Sequence, residues 1–192
     1  CVALCPAKAI AFPEKECGEW YLSDTRFGPF VHAQLYPGQE NSGRLVTLLK
    51  QQARELAKRQ GLDLVICDGS PGVGCPVISS LSGANLAVAV VEPTPSGRHD
   101  FERVAALCDH FRIPVAVLIN KADLNHEEVQ AITRLADDRG YTVVGALPFD
   151  PAVTEAMIRR KALTETDSPL ASTLSAIWGR IRELAYAPRK RG

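Results

Sequence analysis

From about Asp63 onward the chain alternates short, unbroken apolar runs with stretches of helical spacing. The runs are LVIC (64–67), LAVAVV (86–91), VAVLI (115–119) and TVVGAL (142–147), with segments such as DFERVAALCDHFR and HEEVQAITRLADDRG between them. A run that does not alternate polar with apolar residues suits a strand covered on both faces, and strands separated by helices return parallel to one another. The expected fold is therefore α/β, a mostly parallel sheet with helices on both faces. Helix boundaries are marked locally: Asn125 with Glu128 reads as a capping box, Gly140 as the close of that helix, and Asp150-Pro151 and Ser168-Pro169 each as a cap followed by proline.

Residues 1–17 are different in character, small and bearing Cys and Pro, and join the rest through GEWYLSDTRFGPF. They read as a separate piece, 18–186 as the α/β domain, and 187–192 as a solvated basic tail. Lys plus Arg equals Asp plus Glu at 22 each, so no basic excess marks a nucleic-acid partner. No apolar run approaches the roughly 20 residues of a membrane helix. With no signal peptide visible, the expectation is a cytoplasmic protein whose cysteines sit in a reducing setting. Its first residue, Cys1, is not Met, which reads as a truncated form, a processed protein or a fragment of a longer gene product.

In such a fold ligands gather at the carboxyl ends of the strands. Three loops there carry signals. LVICDGSPGVGCP places Asp68 where a carboxylate can hold a magnesium water, and Gly72 where a backbone amide can meet a terminal phosphate with no side chain in the way. The alternative is a turn rich in Gly and Pro begun by Asp68. A rival reading joins Gly72 and Gly74 with Glu92 as a dinucleotide fingerprint of an oxidoreductase, although Val77 stands where its third glycine belongs. VLINKADLN sets Asn120, Lys121 and Asp123 after a strand, in the N-K-x-D pattern that reads a purine edge; Asp123 also suits a turn and Asn125 a cap. ALPFDPAVTEAM would bring Pro148 and Phe149 to the same edge, although taken alone it reads as a proline-stiffened connection with Asp150 as a cap.

GQENSGRL (38–45) has the glycines of a phosphate loop between a strand and a helix. Arg44 and Leu45 hold the places of the lysine and hydroxyl residue that such a loop needs, so it reads as a Gly-rich connection. Cys1 and Cys5, followed by Pro6, match the end of a C-x2-C-x2-C-x3-C-P run that holds a 4Fe-4S cluster, the alternative being two cysteines that fall four apart on a helix by chance. Cys67 and Cys108 lie in apolar runs and are expected to be small buried residues, Cys17 has no partner at ligand spacing, and Cys75 is expected to be exposed and reactive.

Taken in order, CVALCPAKAI, GEWYLSDTRFGPFVHAQL, ENSGRLVTLLK, LVICDGSPGVGCPVISSLSGA, VEPTPSGRHDFERV, INKADLN and LPFDPAVTEAM resemble the MinD-superfamily P-loop ATPases that carry an inserted ferredoxin domain. The resemblance implies a P-loop NTPase-like fold of the SIMIBI type, with 1–17 as the remnant of the ferredoxin insert. The lysine-rich phosphate loop of the family would precede Cys1, so ATP hydrolysis would belong to the intact protein. Asp68 resembles the Walker B and switch II aspartate that serves magnesium, Gly72 the switch amide, and Asn120 with the Pro148 region the adenine contacts. N-K-x-D by itself leans to guanine. Cys1 and Cys5 look like the last two thiolates of the ferredoxin motif.

A more distant similarity links the chain to nitrogenase iron proteins, which share a cluster across a homodimer. Asn41 stands where their first bridging cysteine would be, and Cys75 where the second would be. The resemblance thus implies a homodimer that uses ATP, Mg2+ and a 4Fe-4S cluster with a protein redox or assembly partner. An ATP-controlled scaffold or partitioning-type protein without useful turnover is the alternative.

Overall fold

The computed structural model describes residues 2–11, 13, 15–40 and 43–188. Cys1, Asn41 and the tail residues 189–192 lie outside them, and with them the expectations that fall there. The chain divides into two compact units, Cys1–Asp68 and Gly69–Gly192.

In the first unit, β1 (Gly18–Thr25) and β2 (Gly28–Leu35) form an antiparallel hairpin in which Tyr21 faces His32 and Ser23 faces Phe30. The stretch GEWYLSDTRFGPF, expected only to join the two parts, thus forms β1, the turn and the start of β2, while β2 is the strand expected before GQENSGRL. His32 stacks between Tyr21 and Phe30, with ring centroids at 5.3 and 4.7 Å, and its Nε2 lies 2.9 Å from Ser23 Oγ. Helix α1 (Arg44–Gln60) opens at Gly43 and closes at Gly61, both in the left-handed region (φ 83° and 66°) that favours glycine.

LVIC forms no strand. Residues 62–70 carry no ladder, Ile66 is 74% exposed, and Cys67 is exposed rather than buried. A fully apolar strand is stable only between neighbours that take its backbone hydrogen bonds, and among the described residues none does.

The second unit begins with the short helix α2 (Cys75–Leu81) and then winds β3 (Ala87–Val91), α3 (Pro95–His110), β4 (Val115–Asn120), α4 (His126–Asp138), β5 (Thr142–Leu147), α5 (Pro151–Ile158) and α6 (Pro169–Tyr186). The three strands are parallel in the order β3-β4-β5. One face packs Val117 and Ile119 against Phe101 and Ala105 of α3 and Ile132 and Ala136 of α4. The other packs Ala116, Leu118 and Val144 against Leu170 and Ile177 of α6. Helices on both faces explain why every residue from Val115 to Ile119 is buried. On β3, by contrast, Val88 and Val90 stay exposed, Val90 at 62%.

The caps follow from local chemistry. Asp150 Oδ1 accepts from Ala152 N at 2.8 Å and Ser168 Oγ from Leu170 N at 3.2 Å, each ahead of a proline. Gly140 (φ 71°) lets the chain leave α4, with Tyr141 N donating to Ala136 O at 2.8 Å. Asn125 caps α4 through Glu128 N at 3.1 Å, but Glu128 does not close the box. Its carboxylate accepts from Arg98 Nε at 2.9 Å instead, a charged partner on the neighbouring helix.

Candidate functional site

The parallel order brings the exits of β3, β4 and β5 to one edge. At the exit of β3, Glu92 is followed by buried Pro93 and by Thr94, whose N donates to Glu92 O at 2.8 Å and whose Oγ1 accepts from Gly97 N at 2.9 Å. A Cβ on Gly97 would strike the Glu92 carbonyl oxygen. Glycine is thus required for the turn that folds the start of α3 over Glu92, a requirement visible in the sequence only as one more Gly after Pro.

At the exit of β4, Lys121 adopts φ 54°. This left-handed conformation costs a non-glycine residue on the order of 1–2 kcal/mol and persists where surrounding contacts impose it. They do so here. Lys121 Nζ pairs with Glu92 Oε1 at 2.5 Å, Leu124 N donates to Lys121 O at 3.1 Å, and Ala122 N donates to Leu147 O at 2.8 Å. The ion pair is partly exposed, so its own contribution is of the order of 0.2–1 kcal/mol.

At the exit of β5, Leu147 sits opposite Asn120 in the strand register, which puts Pro148 and Phe149 beside Asn120. Phe149 N donates to Asp123 Oδ1 at 2.6 Å. The Phe149 ring is 55% exposed. Asn120, Lys121, Asp123, Pro148 and Phe149 therefore share one edge, with Glu92 as a member that the sequence had offered only as a ribose-binding acid.

The remaining expected residues lie in the segment that precedes β3. Asp68 is an exposed residue at the end of the first unit. Gly72 has φ 87° and open space where a Cβ would stand. Gly74 is the N-cap of α2, Cys75 is exposed at its first position, and Val77 is buried. In the first unit, Cys5 has its thiol pulled below the usual value by the backbone N–H of Ala9 and, after it, those of Ala7, Ile10 and Lys8. Among the described residues no group of three His, Cys, Asp or Glu side chains is placed to hold a metal ion, and no helix is long and apolar enough to cross a membrane.

A cavity of about 460 Å³ lies at the opposite edge of the sheet, lined in part by Arg112, Pro114, Arg139 and Tyr141. The carboxyl ends of α3, α4 and α6 converge there. Arginines at that end complement the helix dipoles, which accounts for them without a ligand.

A parallel sheet covered by helices on both faces, with its loops gathered at the carboxyl edge, is the fold of MinD-like P-loop NTPases. Two solved structures share it: the cell division ATPase MinD of Pyrococcus furiosus (TM-score 0.60, 17% identity, 74% of this chain and 59% of that one) and MinD in a MinC:MinD cell division protein complex of Aquifex aeolicus (TM-score 0.61, 19% identity, 88% and 69%). In sequence, the chain is 26% identical over 170 residues to an uncharacterised protein of Methanocaldococcus jannaschii, covering 88% of this chain and 56% of that protein. It is 24% identical over 145 residues to the chloroplastic septum site-determining protein minD homolog of Arabidopsis thaliana, covering 68% and 44%. The chain thus spans about half the length of the curated relatives it matches. No protein-family model matches it.

Proposed function

We propose that the chain supplies the switch and base-reading parts of a nucleotide-binding ATPase of the MinD/ParA type, and that the phosphate loop comes from sequence outside it. The observation that carries this reading is the convergence of the β3, β4 and β5 exits, tied together by Lys121–Glu92 and by Asp123–Phe149. Asn120, Lys121, Asp123, Pro148 and Phe149 contact the base. The residues of the switch segment fit their parts: Asp68 is an exposed carboxylate of the hard-oxygen kind that magnesium takes, and Gly72 has open space where a side chain would stand, so none would block a phosphate there. Bound magnesium would neutralise charge on the phosphates. Asp68 would hold it and Gly72 N–H would donate to the terminal phosphate.

The dinucleotide alternative loses support, because Glu92 is engaged by Lys121 and buried Val77 occupies the place of the third glycine. ATP in place of GTP is favoured by Asp123, whose Oδ1 is already occupied by Phe149 N, leaving a weaker acceptor for guanine's paired donors. The test is turnover of magnesium ATP by the protein extended upstream of Cys1 by its own gene. Asp68→Ala is expected to lower kcat roughly 100-fold or more. Turnover equal to the unsubstituted protein would overturn the reading.

A second reading couples the nucleotide to a 4Fe-4S module and a redox or assembly partner across a homodimer. It is favoured by Cys5, whose surrounding backbone N–H groups stabilise a thiolate, as they do around cluster sulfurs. Cys1 and Cys5 amount to half of a four-thiolate site, so the other ligands come from elsewhere. After anaerobic reconstitution of the extended protein, cluster absorbance that Cys5→Ser abolishes supports this coupling; its absence in the unsubstituted protein refutes it.

A further inference from the structure

We infer that Glu92 is the positioning residue of the base-reading edge: through its ion pair with Lys121 it holds the β4 exit in the left-handed turn that keeps Asn120 and Phe149 ready to take a purine base. The inference rests on the nucleotide reading above and adds to it a residue and a device.

The β4 exit is held from two sides. On the β5 side, Asp123 Oδ1 accepts from Phe149 N at 2.6 Å and Leu147 O accepts from Ala122 N at 2.8 Å. On the β3 side, the contact is Lys121 Nζ with Glu92 Oε1 at 2.5 Å. Glu92 is itself fixed from below, its carbonyl accepting from Thr94 N and covered by Gly97. Lys121 stands between these anchors at φ 54°, a conformation uncommon for a residue other than glycine.

Two groups beside this clamp carry the chemistry of a base seat. The Asn120 side-chain amide makes no hydrogen bond among the described residues, and the Phe149 ring is exposed with no ring partner among them. An amide offers the donor and acceptor that match a purine edge, and an exposed aromatic face offers a stacking platform. Asn120 ends β4 and Phe149 lies in the loop just past β5, tied to the β4 exit through Asp123, so their spacing depends on the turn that Lys121 opens. Glu92 sets that turn without touching the base.

The experiment is titration of the 192-residue chain with adenosine, which is uncharged, and with ribose as the control lacking a base, followed through backbone amide NMR shifts. Adenosine, and not ribose, is expected to shift the amides of Asn120, Lys121 and Phe149. Glu92→Gln is expected to weaken adenosine binding about 3- to 5-fold, while Glu92→Asp, which keeps the charge pair, stays within about 2-fold. High salt is expected to weaken binding by the unsubstituted chain and to leave Glu92→Gln unchanged, since only the former has a pair to screen. The salt arm alone decides the matter if Glu92→Gln does not fold. Adenosine binding that is preferred over ribose but indifferent to Glu92→Gln, or to salt, overturns the role of Glu92 and leaves the base reading standing. No preference for adenosine over ribose in the unsubstituted chain overturns both.

Discussion

Phe149 hangs its backbone N–H on the Asp123 carboxylate at 2.6 Å, so the loop after β5 is suspended from the loop after β4. Removing the acceptor by Asp123→Ala is expected to cost about 1 kcal/mol, because the bond is charge-assisted but exposed. Tm should fall by about 4 °C and the Phe149 amide should exchange faster. Asp123→Asn, which retains an acceptor oxygen, should lose about half as much. An unchanged exchange rate at Phe149 in Asp123→Ala would show that the bond does not hold the loop.

Gly145 lies in β5 at the register shift, beside Ile177 of α6. A Cβ there would stand 2.7 Å from Cδ1 and Cγ1 of Ile177. Gly145→Ala is expected to destabilise by about 1–3 kcal/mol through overpacking. Ile177→Val removes the Cδ1 atom and should recover part of that loss, a coupling of about 0.5 kcal/mol or more in the double-mutant cycle. Additive losses in denaturant unfolding would contradict the contact.

Tyr141 donates to Asp109 Oδ2 at 2.7 Å, with Arg139 on the same oxygen at 3.3 Å. Burial first, and then the Asp109 hydrogen bond, push the Tyr141 hydroxyl up to about 12, against the opposing pull of Arg139. In the unfolded chain it titrates near 10. The folded state therefore favours the protonated phenol, and the stability this brings is complete below about pH 10 and lost as pH rises toward about 12. Phenolate absorbance should show a late-titrating component that Tyr141→Phe removes, and the Tm difference between the unsubstituted protein and Tyr141→Phe should shrink over that window. A difference that stays constant to pH 12 would contradict the assignment.

Cys108 is buried, and burial first, then the Asp109 charge, raise its thiol to about 11. Near pH 8 only about one molecule in a thousand carries the reactive thiolate. Iodoacetamide applied to the native protein is expected to label exposed Cys17, Cys67 and Cys75 while sparing Cys108 until the protein is unfolded, as mass spectrometry would read. Equal labelling of Cys108 and Cys75 would contradict the packing of α3.

What the sequence made legible is what local physics decides. The run that became β4 is apolar throughout because both its faces are covered, the apolar runs of β3 and β5 pair with it on either side, and Asn125, Asp150 and Ser168 cap helices with bonds to residues close in the chain. LVIC has the same composition, yet a strand is a property of a pair, and among the described residues it has no partner. FVHAQLY reads as a strand and is most of β2, but its pairing with β1 was hidden for another reason. The turn is Arg26-Phe27, without the Asn-Gly or Asp-Gly signal, and Trp20, Tyr21 and Leu22 run on without alternation. The Glu92–Lys121 pair was out of reach because it depends on which strand lies beside which. Glu128 illustrates the same point: its spacing from Asn125 promises a capping box, and Arg98 on the adjacent helix takes the carboxylate.

The central claim is that this chain carries the switch and base-reading loops of a nucleotide site whose phosphate loop lies outside it. Calorimetric titration of magnesium ATP into the 192-residue chain and, in the same buffer, into a version extended upstream of Cys1 tests it most directly. Binding at least about 100-fold tighter in the extended protein is predicted, since the phosphate loop supplies most of the polar contacts to the triphosphate. Binding of comparable strength by both would contradict the account and return attention to GQENSGRL as the phosphate-binding segment.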